Sequence, residues 1–298
     1  MSARISATIV MVLWASCYPL ITIGIQSAPH LTFATLRSLI AGLALLAAAM
    51  MLQRSWPDDL QTWLWIILAG LGMTGLGYNG MFHAAEYVSP GLATVIANSQ
   101  PLIAAILAYL FLRERLTFKG WLGLATGFAG VLVIAAPQLF VGQSKVTVGV
   151  AYVLLAAFGV AVGNIAIKKL STRVDAEIAM GLQLLIGSVP LGILAMLTED
   201  QNKVEWSPVF MASLLGLAIP GTAIAFWLWQ FTLKKIDLSK ANVFSFLVPV
   251  FGLAIGVTVF NERLTLLIVA GTLIASAGVL LTTARSAYAN AEESNRAA

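Results

Sequence analysis

Ten stretches of about 20 apolar residues, each the length of a membrane crossing, follow one another along this chain. They lie at about 5–26, 31–52, 62–83, 88–111, 118–136, 148–168, 176–197, 208–231, 238–260 and 265–284. A water-soluble globule of 298 residues could not bury them all: 59% of the residues are hydrophobic and 10% charged, where a soluble domain carries about 25% charged residues. In hydrocarbon every backbone N–H and C=O must find a partner within the protein, so stretches this long predict helices. The expected fold is all-α, an integral membrane protein with ten transmembrane helices. The connectors at 137–147 and 198–207 are too short for extra domains. The first stretch follows Arg4 as a signal peptide's apolar part would. It runs for about 22 residues, lacks an Ala-x-Ala cleavage pattern and leads straight into another apolar stretch, so it is read as a retained span.

The basic residues report topology. With the N-terminus cytoplasmic, thirteen of the 17 Lys and Arg fall on the cytoplasmic side, and Lys145, Lys203 and Arg263 fall outside. Arg37 lies within a span. That bias predicts a multi-pass protein of the cytoplasmic (inner) membrane with both termini inside. It also reads the net charge of +4 as membrane topology rather than as a nucleic-acid footprint. The single cysteine, Cys17, excludes a disulfide framework. No Cys/His spacing suits a metal, and no Walker loop is present to couple ATP, so neither a metal nor a cofactor is expected.

The two halves of the chain repeat. At a constant offset of 148 residues, Ala93 falls on Ala241, Val95 on Val243 and Pro101 on Pro249. Glu114-Arg115-Leu116-Thr117 falls on Glu262-Arg263-Leu264-Thr265, Gly123 on Gly271, and Ala129-Gly130-Val131-Leu132 on Ala277-Gly278-Val279-Leu280. Apolar composition alone does not readily align Pro, Glu-Arg and two glycines without a gap. Five spans per copy is an odd number, so the copies are expected to lie in opposite orientation, as two inverted five-helix repeats at 1–140 and 147–286. Residues 287–298 are small and polar and read as a cytoplasmic tail.

At these residues the sequence resembles the drug/metabolite transporter superfamily, in particular its ten-helix EamA-type exporters. The pattern of Pro in the fourth and ninth spans, then Glu-Arg-Leu, then a Gly-rich span reads here as Pro101 to Glu114-Arg115-Leu116 and Pro249 to Glu262-Arg263-Leu264. Trp14-Ala15-Ser16 and Leu36-Arg37 resemble the family's opening. The resemblance implies a central cavity surrounded by spans 1–4 and 6–9, with spans 5 and 10 peripheral. Known members export amino acids and related metabolites, and others carry nucleotide sugars or triose phosphates.

Polar residues inside spans are expensive in lipid and mark candidate sites. Arg37 could anchor a substrate carboxylate or phosphate through two parallel hydrogen bonds. Alternatively it snorkels to the headgroups or pairs with Glu86. Tyr78 and Asn79 are neutral groups able to hold a zwitterion's polar ends, and His83 could titrate near neutral pH. Asn98 and Gln100 stand just before Pro101, where their amides could pair freed backbone groups or a substrate. Asn164, Gln183 and Asn242 are counterparts in the second half, with Gln183 opposite Arg37 at an offset of 146. Trp14, Phe158, Trp227 and Phe244 could line an apolar pocket or simply pack the core, and Tyr18 of the first span is a further aromatic candidate for the binding site. Pro101 and Pro249, at mirrored positions, are candidate hinges. Glycines such as Gly123 and Gly127 read as helix packing, with a dimer face possible.

No Asp or Glu lies in the middle of any span, which disfavours a carboxylate-relay antiporter. The reading is a carrier that exports amino acids or related small zwitterionic metabolites by alternating access, acting as a monomer or weak homodimer in the bilayer. A carrier of phosphorylated sugars or sugar nucleotides is the alternative and would want several cations in its cavity. An intramembrane enzyme would need paired carboxylates, a Ser/His set or metal ligands in the spans, and none is present.

Overall fold

A computed structural model describes residues 2–112, 118–140, 144–170, 173–233, 235 and 243–283. Glu114-Arg115-Leu116-Thr117, Asn242 and the tail from 287 lie outside the described residues. No strand occurs among the described residues, and the helices group into ten rods that match the expected spans to within a few residues. Seven of them are long and apolar enough to cross a membrane.

Span 1 is Ala3–Ala15 and Cys17–Gly24; span 2 is His30–Met51; span 3 is Leu60–Ala69, a π-helical turn at Gly70–Leu76, and Gly77–Ala84. Span 4 is Pro90–Ala97 and Gln100–Leu112, span 5 Phe118–Phe140, span 6 Ser144–Leu170 and span 7 Ala176–Thr198. Span 8 is Pro208–Ala218, a second π-helical turn at Ile219–Ile224, and Ala225–Leu233. Span 9 is a 3-10 turn at Val243–Phe246 followed by Leu247–Phe260, and span 10 is Leu266–Thr283.

The interruptions follow from prolines. Pro19 has no N–H for the Ala15 carbonyl, and span 1 breaks at Ser16. Pro101 likewise leaves the Ala97 carbonyl, and span 4 breaks at Asn98 and Ser99. Span 9 changes from 3-10 to α-helix between Phe246 and Leu247, two residues before Pro249 and at the repeat offset from the span 4 break. Pro220 sits inside the second π-turn, whereas span 7 runs unbroken through Pro190. The π-turns themselves stand at matching places in the two halves, and Thr74 and Thr222 within them are 148 residues apart.

Each rod of the first half packs on one of the second: span 1 on 8, 2 on 7, 3 on 6, 4 on 9 and 5 on 10. Glycines permit the closest approaches. A Cβ on Gly278 of span 10 would stand 2.2 Å from the Gly127 nitrogen of span 5. One on Gly80 of span 3 would stand 2.4 Å from the Tyr152 carbonyl oxygen of span 6. The Gly127 face of span 5 is therefore covered from within the chain.

Spans 2 and 7 run antiparallel and are tied at both ends. Glu199, just past span 7, accepts the Leu31 and Thr32 backbone N–H groups at 2.8 and 2.7 Å, and the Thr32 hydroxyl at 2.8 Å. These are the unpaired donors that open any helix, and a carboxylate there also suits the helix dipole. At the far end Arg54, beyond span 2, meets Glu177 of span 7 at 3.5 Å and Asp175 at 3.7 Å. Between the two ties Gly42 and Gly181 bring the helices together.

Candidate functional site

Arg37 is the eighth residue of span 2, about 10 Å along the axis from the helix start. It is only 3% exposed. Its Nε donates to the Thr222 hydroxyl of span 8 at 2.9 Å. One terminal nitrogen faces the Met81 sulfur of span 3 and the other the Cys17 sulfur of span 1, both at 3.5 Å. The guanidinium carbon stands 4.3 Å from the centre of the Tyr78 ring and 5.8 Å from that of Phe82. Among the described residues no carboxylate lies within 4.0 Å of it. Both alternatives raised for Arg37 are thereby corrected. A side chain this buried is not snorkelling, and Glu86 pairs instead with His30, at 2.6 Å.

Thr222 owes its place to the π-turn. Its hydroxyl donates to the Leu217 carbonyl five residues back, at 2.8 Å, which leaves lone pairs for Arg37 and places the Tyr78 hydroxyl 3.4 Å away. A guanidinium offers five N–H donors. Here one meets a hydroxyl and two meet sulfurs, which are weak acceptors. The result is a buried cation met by one hydroxyl and two weak sulfur acceptors, and a guanidinium is a group that can pair with a carboxylate.

A neutral counterpart stands in the other half. Gln183 is the eighth residue of span 7 and fully buried. Its Oε1 accepts the Thr74 hydroxyl, from the π-turn of span 3, at 2.7 Å. Because spans 2 and 7 are antiparallel, the Arg37–Thr222 bond lies toward the His30 end of the bundle and the Gln183–Thr74 bond toward the Arg54 end. Among the described residues the Gln183 Nε2 has no partner, nor do the Tyr18 hydroxyl, the Asn98 Nδ2 or the Ser99 Oγ, all buried. Tyr18 follows Cys17 and belongs to the packed cluster that holds Val95 and Ile96 of span 4. With its Nδ2 unpartnered, Asn98 does not use that nitrogen on the backbone carbonyl freed by Pro101.

The remaining candidates lie elsewhere. His83 sits at the His30 end: its Nδ1 bonds the Asn79 carbonyl at 2.9 Å, and its ring lies 4.1 Å from His30 and 4.6 Å from Tyr152. Asn79, Gln100 and Asn164 are half-buried. Trp14 packs spans 1 and 8 together, 5.3 Å from Trp229 and 6.3 Å from Phe226. Phe244 packs against Val10, Met11, Leu228 and Trp229, and Trp227 is 45% exposed, stacked on Phe231. Thr222, Thr74, Met81 and Phe82 were not singled out in the sequence.

The profile of the EamA-like transporter family matches residues 1–136 and 147–284. The chain belongs to the EamA-like transporter family. This EamA-like chain is 32% identical over 283 residues, 93% of itself and 90% of the relative, to "Uncharacterized transporter YvbV" of Bacillus subtilis. It is 29% identical over 286 residues, 92% of each chain, to "Probable amino-acid metabolite efflux pump" of Salmonella typhimurium. A solved structure at 19% identity superposes with a TM-score of 0.69 over 95% of this chain and 96% of that one, a likeness of fold. Its apolar helices and transporter relatives make the EamA-like chain a multi-pass membrane protein.

Proposed function

We propose that this EamA-like transporter exports amino acids or related small zwitterionic metabolites across the cytoplasmic membrane, gripping each by its carboxylate. The observation that carries this is the burial of Arg37 without an acidic partner among the described residues. A desolvated cation costs several kcal/mol unless an opposite charge joins it, and an incoming carboxylate supplies that charge. The relative named as an amino-acid metabolite efflux pump supports the cargo class. Arg37 is the one buried cation among the described residues, which weighs against sugar phosphates or nucleotides.

The halves are two inverted repeats that alternate access, with both termini cytoplasmic as the Lys and Arg bias requires. The test is counterflow into purified proteoliposomes preloaded with one unlabelled amino acid at a time. Saturable exchange for a subset, insensitive to a pH gradient, is expected. Silence across the amino acids, with uptake of a sugar phosphate or nucleotide instead, overturns the cargo class.

The breaks ahead of Pro101 and Pro249 are the hinges of this cycle. Pro101→Ala returns an N–H to the Ala97 carbonyl. It is expected to slow exchange about fivefold, the effect of one added hydrogen bond of about 1 kcal/mol, while the substrate still binds. Exchange half-times measured beside equilibrium binding check this, and unchanged rates in both Pro101→Ala and Pro249→Ala would make the breaks static.

A further inference from the structure

We infer that the site reads the carboxylate alone, so that the amine is dispensable, and that net-anionic relatives of amino acids are carried as monoanions driven outward by the membrane potential. The inference rests on the carboxylate reading of Arg37 and extends the cargo to N-acylated amino acids and 2-oxo acids.

The charges around Arg37 carry it. A zwitterion brings no net charge, so the occluded complex keeps the whole charge of the guanidinium, whereas a monoanion brings the complex to zero. An ammonium group wants acceptors, ideally a carboxylate. The described acids that are most buried are both engaged elsewhere: Glu177 with Arg54 at one end of span 7, and Glu199 with the start of span 2 at the other. One face of Tyr78 is already under the guanidinium.

Among the described residues, the buried side-chain atoms without a partner include donors but no group that can only accept. The Gln183 Nε2 and the Asn98 Nδ2 can only donate, while the Tyr18 hydroxyl and the Ser99 Oγ can do either. Buried donors of this kind suit an acyl carbonyl or a 2-oxo group; the acceptors left for an ammonium are the Ala15 and Ala97 carbonyls freed by Pro19 and Pro101.

Carriage as a monoanion also supplies an energy source without an intramembrane acid or a nucleotide site. One negative charge leaves the cell per cycle, and an interior-negative potential of 100 mV is worth about 2.3 kcal/mol per charge. That corresponds to a concentration ratio of about 50.

The test uses the purified full chain in potassium-loaded vesicles with valinomycin setting an interior-negative potential. Two probe series, built on phenylalanine and on alanine, each comprise the amino acid, its N-acetyl derivative, its 2-oxo acid and its amide. The anions are expected to exchange at least as fast as the parent amino acid and to settle up to about 50-fold lower inside at 100 mV. The parents should stay near equality and the amides should not be carried. Exchange of a parent amino acid without its two anions, or anions that distribute indifferently to the potential, overturns the inference and leaves the carboxylate site standing. Amides carried as well as their parents, or no exchange of any carboxylate, overturns the carboxylate site itself.

Discussion

Replacing Arg37 by Gln is expected to reduce saturable exchange at least about 100-fold, since two charge-assisted hydrogen bonds to a carboxylate contribute about 1.5–3 kcal/mol each. Arg37→Lys keeps the charge and loses the planar fork, so it should retain a measurable fraction of the rate. The stability of the same variants separates a binding role from a structural one. Arg37 is 3% exposed and meets Thr222, two sulfurs and two aromatic faces rather than an acid. Removing a buried, uncompensated cation relieves a desolvation cost. Arg37→Gln should therefore melt in detergent at the same temperature as the parent or higher. A fall of several degrees together with lost folded yield would make Arg37 a structural member of the bundle.

Gly80→Val is expected to abolish folded protein. The Cβ alone would stand 2.4 Å from the Tyr152 carbonyl oxygen, 2.7 Å from the Ala156 nitrogen and 3.0 Å from the Ala156 Cβ. The first two are backbone atoms of span 6, which cannot give way without parting spans 3 and 6. Overpacking that side chains can absorb costs about 1–3 kcal/mol, and a backbone collision exceeds that range. The matched control is Gly75→Ala, whose Cβ would have its nearest neighbour at 3.6 Å, an ordinary contact. Size-exclusion profiles of the two variants should differ plainly: aggregated or absent for Gly80→Val, monodisperse for Gly75→Ala. A monodisperse, active Gly80→Val would mean that spans 3 and 6 do not approach as described.

The rods were legible because lipid leaves a long apolar segment little choice but to be helical. The breaks ahead of Pro101 and Pro249 were legible because proline removes a donor at a known place. The setting of Arg37 was not legible, since its partners come from spans 1, 3 and 8 and only packing brings them to one point. Pairing Arg37 with Glu86 was one alternative that charge alone offered, yet His30 takes that carboxylate.

The π-turns escaped notice for a related reason. Gly70–Leu76 and Ile219–Ile224 are small and apolar like their surroundings, and a change of helical ladder leaves no mark on hydropathy. One signal was available: Thr74 and Thr222 stand at the repeat offset of 148, the same offset that aligns Pro101 with Pro249. Polar residues that recur at such an offset inside apolar spans merit the attention given to prolines.

The ties between spans 2 and 7 have a mechanical consequence. In the alternating cycle proposed above, helices fastened by Glu199 at one end and by Arg54 at the other would move as a pair and serve as its stator. Both Arg37 and Gln183 belong to this pair, while Thr222 and Thr74 belong to the spans that would turn against it. Each face of the membrane then has its own brush contact, one charged and one neutral, and an anion can displace only the charged one. Gradients and the membrane potential set the direction of net transport; the unlike contacts would only make the two faces hold an anion with unequal strength.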